Sequence, residues 1–318
     1  MESVTSKRGL FNYFKLIVVF FALLLLGLLM AYSFLDKNSN NPKDYFNLLF
    51  GAALVFYAFF NVYGYFKHTP KIVVDRKIFR VANTSYRLED IRSLKLTGKN
   101  GHTYLTLASK EAAEIIFKDG DVVYINDSLY ANSSQLKVFL EDVYNKKNNS
   151  ITEQVLIKEP LLEKPVISNK QSIDYKYYKG LYIFSTPGLV TIVCAIIAIV
   201  QLLMANSNFA LYIFFAIFLL FFQLVFMFRF YYFVANDNFL IVKSSFLFWQ
   251  RHTYPLSMIR EVVFELSSKK TNGLRIITTD YTTRIYLAGS LQKRHWKVLK
   301  LHLEQHNIPV RNELYFNI

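Results

Sequence analysis

Three long stretches without a charged residue constrain what this chain of 318 residues can fold into. No charge occurs in the 20 positions of residues 16–35, the 22 positions of residues 45–66 or the 49 positions of residues 180–228. A helix that crosses a membrane needs about 20 apolar residues, so the first two stretches each predict one such helix. The third stretch is too long for one helix, and the polar break at residues 204–208 divides it. The sequence therefore predicts four transmembrane helices, arranged as two hairpins.

Lysine and arginine predict how these hairpins are oriented. Residues 67–147 carry 14 basic against 10 acidic side chains and residues 229–318 carry 13 against 6, whereas the loops inside the two hairpins carry no net charge. Cytoplasmic segments of membrane proteins are enriched in Lys and Arg. We therefore expect a multi-pass protein of the cytoplasmic (inner) membrane, with both termini and both large segments in the cytoplasm.

The net charge of +14 is explained by this topology together with anionic lipid close to the basic segments. A nucleic-acid partner is the alternative, but no RNA-binding motif accompanies the charge. We therefore expect anionic headgroups of membrane lipid as a partner, and no nucleic acid.

A short phrase occurs twice in the chain. Residues 85–96 read SYRLEDIRSLKL and residues 253–264 read TYPLSMIREVVF, so both contain Ser/Thr-Tyr-x-Leu-x-x-Ile-Arg before an alternating apolar run. Strand-like runs with turn signals surround both copies, and a helical segment closes each copy, at residues 137–145 and 300–307. The sequence therefore predicts a repeated unit of one membrane hairpin, about six or seven short strands and one helix.

The predicted domain boundaries follow from this repeat and from a polar, proline-containing connector between the copies. Two repeats of this length predict two domains and not a solenoid, whose repeats are about 20–50 residues long. The predicted parts are an N-terminal tail with the first hairpin at residues 1–66, a first cytoplasmic domain at 67–147, a linker at 148–179, a second hairpin at 180–230 and a second cytoplasmic domain at 231–318.

The second copy contains a longer pattern, which is Tyr254-Pro255-Leu256-Ser257-x-Ile259, then Val262 and Val263, then the hairpin signal Asn272-Gly273. This pattern resembles the bacterial pleckstrin-homology-like (PH-like) domains that are found beside membrane hairpins. The first copy has Arg87 in place of the proline but keeps Tyr86, Leu88 and Ile91. The resemblance implies a membrane α-helical plus α+β protein, in which each hairpin precedes a small β-sandwich or barrel capped by a C-terminal helix. It implies no catalytic residues, because the family has none in common.

The last helix predicts both a core residue and a binding surface. Trp296, Leu299 and Leu303 fall on one side at helical spacing, so we expect Trp296 to plug the domain core. The candidate lipid- or partner-binding residues share a positive charge and comprise a stripe on this helix and the arginine that both copies repeat: Lys293, Arg294, Lys297, Lys300, Arg92 and Arg260.

The repeated arginine follows an isoleucine in both copies. Strand alternation places Arg92 and Arg260 each on one face with the apolar residues two and four positions later, namely Leu94 and Leu96 or Val262 and Phe264. An arginine at the head of an apolar face can bind a lipid phosphate or the carboxylate of a partner. The alternative is a structural bond to backbone carbonyls at a turn.

No motif for catalysis or nucleotide binding occurs in the sequence. His295, His302 and His306 share a helix face, and the spacing of His302 and His306 would suit a metal ion. No third ligand with a familiar spacing accompanies them, which favours the alternative of a half-exposed helix flank. We therefore expect no metal, no cofactor and no catalytic residue.

Tyrosines gather where the predicted helices meet the cytoplasm. Their amphipathic rings suit the membrane–water interface, which predicts an interfacial belt. Its members are Tyr63, Tyr65, Tyr175, Tyr177, Tyr178, Tyr182, Tyr231 and Tyr232.

Together these patterns favour a non-enzymatic membrane protein that presents two PH-like binding or scaffold domains at the cytoplasmic face and recruits a protein or anionic lipid. The alternative is a small transporter or channel component whose cytoplasmic domains act as regulators. Against that alternative, the predicted membrane helices contain no Asp, Glu, Lys, Arg or His near their centres. The identity of a protein partner and homo-oligomerisation stay open.

Overall fold

The computed structural model describes residues 3–36, 42–99, 101–103, 106–148, 175–180, 186–203, 230–245, 249–266 and 271–314. The chain divides into two compact units, Met1–Val155 and Leu156–Ile318. The division falls within residues 148–179, the segment predicted to be a linker.

The first unit begins with a short strand and two long helices, which are β1 (Ser3–Thr5), α1 (Leu10–Asp36) and α2 (Pro42–His68). Within the helices, Leu10–Tyr32 and Tyr45–His68 are long and apolar enough to cross a membrane. The two helices approach closely at paired glycines, because a Cβ on Gly27 would lie 2.7 Å from the carbonyl oxygen of Gly51. Small residues that let two backbones meet are typical of membrane helix pairs.

The next three strands form an antiparallel sheet with β1, and they are β2 (Ile72–Asp75), β3 (Ile78–Val81) and β4 (Thr84–Arg87). β1 precedes the helices and β2 follows them, yet the two strands pair, with Ser3 opposite Asp75 and Thr5 opposite Val73. The points where the chain leaves β1 and enters β2 therefore lie side by side. We call this end of the sheet its helix end.

After a 3-10 turn at Leu88–Asp90, the first unit continues through five strands and a helix. The elements are β5 (Ile91–Lys95), β6 (Gly101–Thr103), β7 (Thr106–Lys110), β8 (Ala112–Phe117), β9 (Val122–Asn126) and α3 (Ser133–Asn148). β5, β8 and β9 form an antiparallel sheet, and β6 pairs with β7. The helical segment predicted at residues 137–145 lies within α3, so that prediction is confirmed.

Aromatic and aliphatic side chains from the β1–β4 sheet, from the sheet of β5, β8 and β9, and from α3 fill the core of the first unit. Tyr86 stacks on Phe117 with ring centroids 4.1 Å apart, and Leu136 and Leu140 of α3 are buried in the same cluster. α3 therefore closes this core with leucine side chains.

The described part of the second unit also begins with a short strand before an apolar helix, and these are β10 (Lys176–Tyr178) and α4 (Thr186–Leu203). Residues 204–229, which complete the second predicted hairpin, lie outside the described residues. The following strands are β11 (Tyr231–Ala235), β12 (Phe239–Ser244) and β13 (Arg251–Pro255), and the antiparallel sheet has the order β10-β11-β12-β13. Tyr178 lies opposite Phe233, so the exit of β10 toward α4 lies beside the entry to β11. This is the helix end of the second unit.

A 3-10 turn at Leu256–Met258 leads into the second sheet. The elements that follow this turn are β14 (Ile259–Leu266), β15 (Asn272–Thr278), β16 (Thr283–Leu287), α5 (Lys293–Gln305) and β17 (Val310–Glu313). The sheet order is β16-β15-β14-β17, and β17 is parallel to β14, whereas the other strand pairs are antiparallel. Both units are therefore mixtures of helix and mainly antiparallel sheet.

Trp296 of α5 is fully buried in the core of the second unit. Its ring contacts one aromatic residue from each sheet, with centroids 6.0 Å from Phe233 and 4.9 Å from Phe264. Leu299 and Leu303 are buried on the same side of α5. The prediction that Trp296 plugs the domain core is confirmed.

Several local predictions are wrong. Asn272-Gly273 does not form a turn, because both residues pair within β15, opposite Leu266 and Glu265 of β14. Tyr178 does not belong to an interfacial belt, since it is only 2% exposed and lies in the core of the second unit. Tyr65 is likewise fully buried. Strands β1, β10 and β17 have no counterpart among the predicted elements.

Candidate functional site

The predicted basic stripe lies on the exposed side of α5. Lys293, Arg294 and Lys297 are exposed, and Lys300 is half-buried with its Nζ 3.9 Å from the carboxylate of Glu304. The stripe forms because residues 296, 299 and 303 turn toward the core, which leaves the positions between them in solvent. The structure thus brings four of the six candidate residues onto one helix.

The beginning of α5 lies at the helix end of the second unit. A Cβ on Gly180, just after β10, would collide with the backbone of Ser290, and a Cβ on Gly289 would lie 3.0 Å from the ring of Phe230, just before β11. The segment that leads into α5 therefore touches both points where the chain meets the helical region. Lys293 and Arg294, at the start of α5, are consequently the two candidate residues nearest to that region.

Positive charge at the start of α5 is unusual, because the first turn of a helix favours acidic side chains. The first turn holds Lys293 and Arg294 and no acidic residue, although the positive end of the helix dipole disfavours cations there by about 0.3–1 kcal/mol each. The two side chains and the dipole add up to a positive potential at the helix end. An anionic partner would be attracted to this position.

The far end of α5 points in the opposite direction along the sheet. His302 is buried, with its Nε2 3.3 Å from the carbonyl oxygen of Asn236, which lies in the turn between β11 and β12. His306 lies 3.6 Å from the carboxylate of Asp237 in the same turn. This turn is at the end of β11 opposite to the helix end.

His302 contributes to packing, and burial lowers its pKa. The rings of His302 and His306 lie 4.9 Å apart in an edge-to-face arrangement. Within the described residues, no three His, Cys, Asp or Glu side chains come together in a way that could hold a metal ion.

Arg260 does not share a face with Val262 and Phe264, so that prediction is wrong. Ile259 and Glu261 pair with consecutive residues of β15, which makes Arg260 the extra residue of a β-bulge. The bulge turns Arg260 out to solvent while Val262 and Phe264 stay buried. Its guanidinium lies 4.3 Å from the centre of the Tyr281 ring, which is a cation–π contact within the domain.

Arg92 occupies the corresponding bulge of the first unit. The register of β5 against β8 shifts between Ile91 and Ser93, and Arg92 is exposed while Leu94 packs against the core. In both units the arginine follows the 3-10 turn. The first residue of that turn, Leu88 or Leu256, donates its N–H to the carbonyl oxygen of Lys77 or Asn238, which lies in the turn far from the helix end. Arg92 and Arg260 therefore lie away from the helix ends, and the structure separates Arg260 from Lys293 and Arg294.

The structure also reveals a row of side chains that the sequence patterns did not single out. Tyr232, Lys243 and Arg251 lie opposite one another on β11, β12 and β13, close to the helix end. Lys179, just after β10, places its ammonium 5.4 Å from the centre of the Tyr232 ring. We call Lys179, Tyr232, Lys243 and Arg251 the basic row. Lys179 and Tyr232 are 53 residues apart in the sequence, and Tyr232, Lys243 and Arg251 belong to three different strands. Only the register of the strands shows that these side chains are neighbours.

Cations and aromatic rings at one end of a domain can bind anionic and amphipathic partners. The known proteins offer no further indication, because neither the comparison with protein-family models nor the comparison with curated proteins gives a match for this chain.

Proposed function

We propose that the chain is an integral protein of the cytoplasmic membrane that holds two PH-like domains against the inner leaflet as a non-enzymatic binding scaffold. Four transmembrane helices in two hairpins carry the domains, and both domains face the cytoplasm. The ligand of the second domain is the anionic headgroup of membrane lipid.

One observation carries this proposal: in each unit the strand before the apolar segment pairs with the strand that follows it. A β-ladder between the two crossing points fixes each sheet at the place where the chain enters and leaves the helical region. A domain attached by a ladder on both sides cannot drift from the bilayer as a domain on one flexible linker can.

The architecture of the second unit supports a PH-like domain. Two sheets, β10-β11-β12-β13 and β16-β15-β14-β17, share one apolar core, and α5 inserts Trp296 into it. The first unit offers the same succession of flanking strand, helices, three sheet strands, 3-10 turn, further strands and closing helix. This shared succession supports a duplication of one ancestral unit.

The charge distribution supports lipid as the ligand. Lys293 and Arg294 lie at the end of the second unit from which the chain continues into α4. Each basic group close to an anionic leaflet contributes about 1 kcal/mol of attraction.

Binding to vesicles tests the proposal. A soluble version of the second unit joins residues 175–180 to residues 230–318 through a short Gly/Ser linker, which keeps β10 paired with β11. We expect it to bind vesicles that contain phosphatidylglycerol, to release them as salt is added, and to ignore phosphatidylcholine alone. The double variant Lys293→Glu, Arg294→Glu loses at least about 2 kcal/mol of binding free energy, or roughly 30-fold in affinity.

The matched control reverses the same number of charges far from the helix end, at Arg260 and Lys300. This variant has the same net charge, so it should keep most of the binding, and thermal melting establishes that both variants are folded. Equal loss in the two variants, or no loss in either, contradicts a lipid contact at the helix end. A protein ligand would then take its place in the proposal.

A further inference from the structure

The connection between β12 and β13 lies at the helix end of the second unit. Ser244, the last residue of β12, is opposite Tyr231, the first residue of β11. The next residue, Ser245, donates its backbone N–H to the carbonyl oxygen of Phe230 at 2.7 Å. The connection therefore begins beside the residue at which the chain returns from the apolar stretch.

The first unit makes the equivalent connection with a minimal turn. β3 and β4 are joined by Ala82 and Asn83 alone, with Ala82 at a φ of +50°. In the second unit the five residues 246–250 separate Ser245 from β13, and their sequence is Phe-Leu-Phe-Trp-Gln. Because a two-residue turn is enough to join such strands, the fold does not require the longer apolar connection.

Trp249 is the described aromatic residue of this connection, and its side chain is 65% exposed. The chain contains only two tryptophans, and the other, Trp296, is fully buried. An indole combines a large apolar surface with one N–H donor, which suits the boundary between water and hydrocarbon better than water itself.

The basic row flanks this tryptophan. Lys243 and Arg251 face each other across β12 and β13, and like charges in directly opposite positions destabilise a sheet in water. Neither side chain forms an ion pair with a carboxylate among the described residues, while Lys179 adds a third positive charge beside Tyr232. Phosphate groups of an anionic leaflet would relieve the repulsion among these cations.

We propose that Trp249 and the basic row form a membrane-interface anchor, in which the indole enters the headgroup region of the leaflet that the second hairpin enters and Lys179, Lys243 and Arg251 bind lipid phosphates. The proposal rests on the proposed function, because it requires the apolar stretch of the second unit to cross the membrane. It goes further by naming a surface of β12 and β13 that is separate from α5. The anchor fixes the rotation of the second domain against the bilayer as well as its distance from it.

Tryptophan fluorescence of the full chain in phosphatidylglycerol-containing vesicles tests the anchor. The emission of Trp249 is the difference between the unaltered chain and the Trp249→Phe variant, in which only the buried Trp296 emits. Lipids brominated near the headgroup end of their acyl chains should quench most of the Trp249 emission, because an interfacial side chain lies within about 5–10 Å of that depth. Aqueous acrylamide should quench it little, and Lys243→Glu with Arg251→Glu should reverse both results.

A control places the reporter at the opposite end of the same strand. Asp237→Trp in the Trp249→Phe background puts an indole in the exposed turn before β12, roughly 17 Å from the helix end along the strand. Acrylamide should quench this indole and brominated lipid should not. The same pattern at Trp249 overturns the anchor, and so does protection of Trp249 from both quenchers, which would mean that protein covers it.

The test separates failure of the anchor from failure of the proposed function. A cysteine at Asn206 in a Cys194→Ser background should react with an impermeant maleimide outside intact cells if the second hairpin crosses the membrane. Labelling at Asn206 without quenching of Trp249 by brominated lipid overturns the anchor alone. Absence of labelling overturns both.

Discussion

At the scale of single residues, Trp296 is the largest fully buried side chain among the described residues. It is fully buried between Phe233 and Phe264, one from each sheet. Trp296→Ala should lower the free energy of unfolding by about 3–5 kcal/mol, because the cavity joins both sheets and α5. Chemical denaturation of the soluble second unit measures this loss, and Trp249→Ala is the exposed control. An unchanged midpoint for Trp296→Ala would mean that α5 does not close the domain.

The buried His302 predicts how stability depends on pH. Burial lowers its pKa, as do the charges of His306 and Lys176, whereas the hydrogen bond to Asn236 and the charge of Asp237 act in the opposite direction. The folded pKa is thus below the unfolded value of about 6.5, so the unfolded chain takes up the proton first as pH falls. The stability of the second unit should therefore decrease from about pH 6.5 downward and level off below the folded pKa.

Equilibrium unfolding of the soluble second unit at a series of pH values measures this slope. Burial also lowers the pKa values of His252 and His295, so His302→Gln should reduce the slope without abolishing it. A slope of unchanged size in His302→Gln would contradict a neutral, buried His302.

Residue-level prediction from the sequence succeeded where helical periodicity determines the environment and failed at a bulge. Trp296 was identifiable because residues 296, 299 and 303 follow the period of a helix. Arg260 was placed on the wrong face because one extra residue in β14 inverts the alternation that the prediction relied on. A bulge has no reliable mark in the residues that flank it.

At the scale of elements, we expect β10 to determine whether the second unit is stable by itself. Tyr178 of β10 is 2% exposed and belongs to the core, so a fragment that starts at Tyr232 lacks a core side chain and leaves β11 as an unpaired edge. Restoring residues 175–180 through a linker should raise the free energy of unfolding by about 2–5 kcal/mol. Urea denaturation of the two fragments compares them, and a version with Tyr178→Ala should recover only part of the gain. Equal stabilities would mean that β10 is not part of the domain in solution.

The sequence predicted strand-like runs around both copies of the repeated phrase but not β1 or β10. The strands that follow the second copy, β14, β15 and β16, pair with neighbours in the sequence. β1 and β10 have only three residues each, which is too few for a period of two to be recognised. Their partners lie beyond the apolar stretches of the sequence, so only tertiary structure reveals them.

At the scale of the whole molecule, the membrane topology makes the broadest prediction. Single cysteines at Asn40 and Asn206, in a Cys194→Ser background, should react with an impermeant maleimide outside intact cells, because the uncharged or neutral hairpin loops are expected on the outside. Cysteines at Asn148 and Asn312 should react only after the cells are permeabilised. Labelling of Asn148 from outside would reverse the proposed orientation.

Composition was sufficient to predict two of the helices at this scale, since α1 and α2 contain the stretches that have no charge. The basic candidates were predicted as one group, yet the structure divides them between the two ends of the domains. Lys293 and Arg294 lie toward the helices, while Arg260 lies beside Tyr281 in a distant turn. Charge counting locates a basic domain but not the side that faces a partner, which depends on strand direction.

The ladder between β1 and β2 has a consequence for how the protein is made. Translation adds Thr5 to the chain before the helices and Val73, the residue opposite Thr5 in the sheet, after them. At about 5–20 residues per second, β1 waits roughly 3 to 14 s for its partner. The two apolar helices leave the ribosome during that interval, so both are synthesised before the sheet can close. In both units the sheet can therefore close only after the whole apolar segment between its flanking strands has been synthesised, and the order of synthesis itself prevents a finished domain from forming earlier.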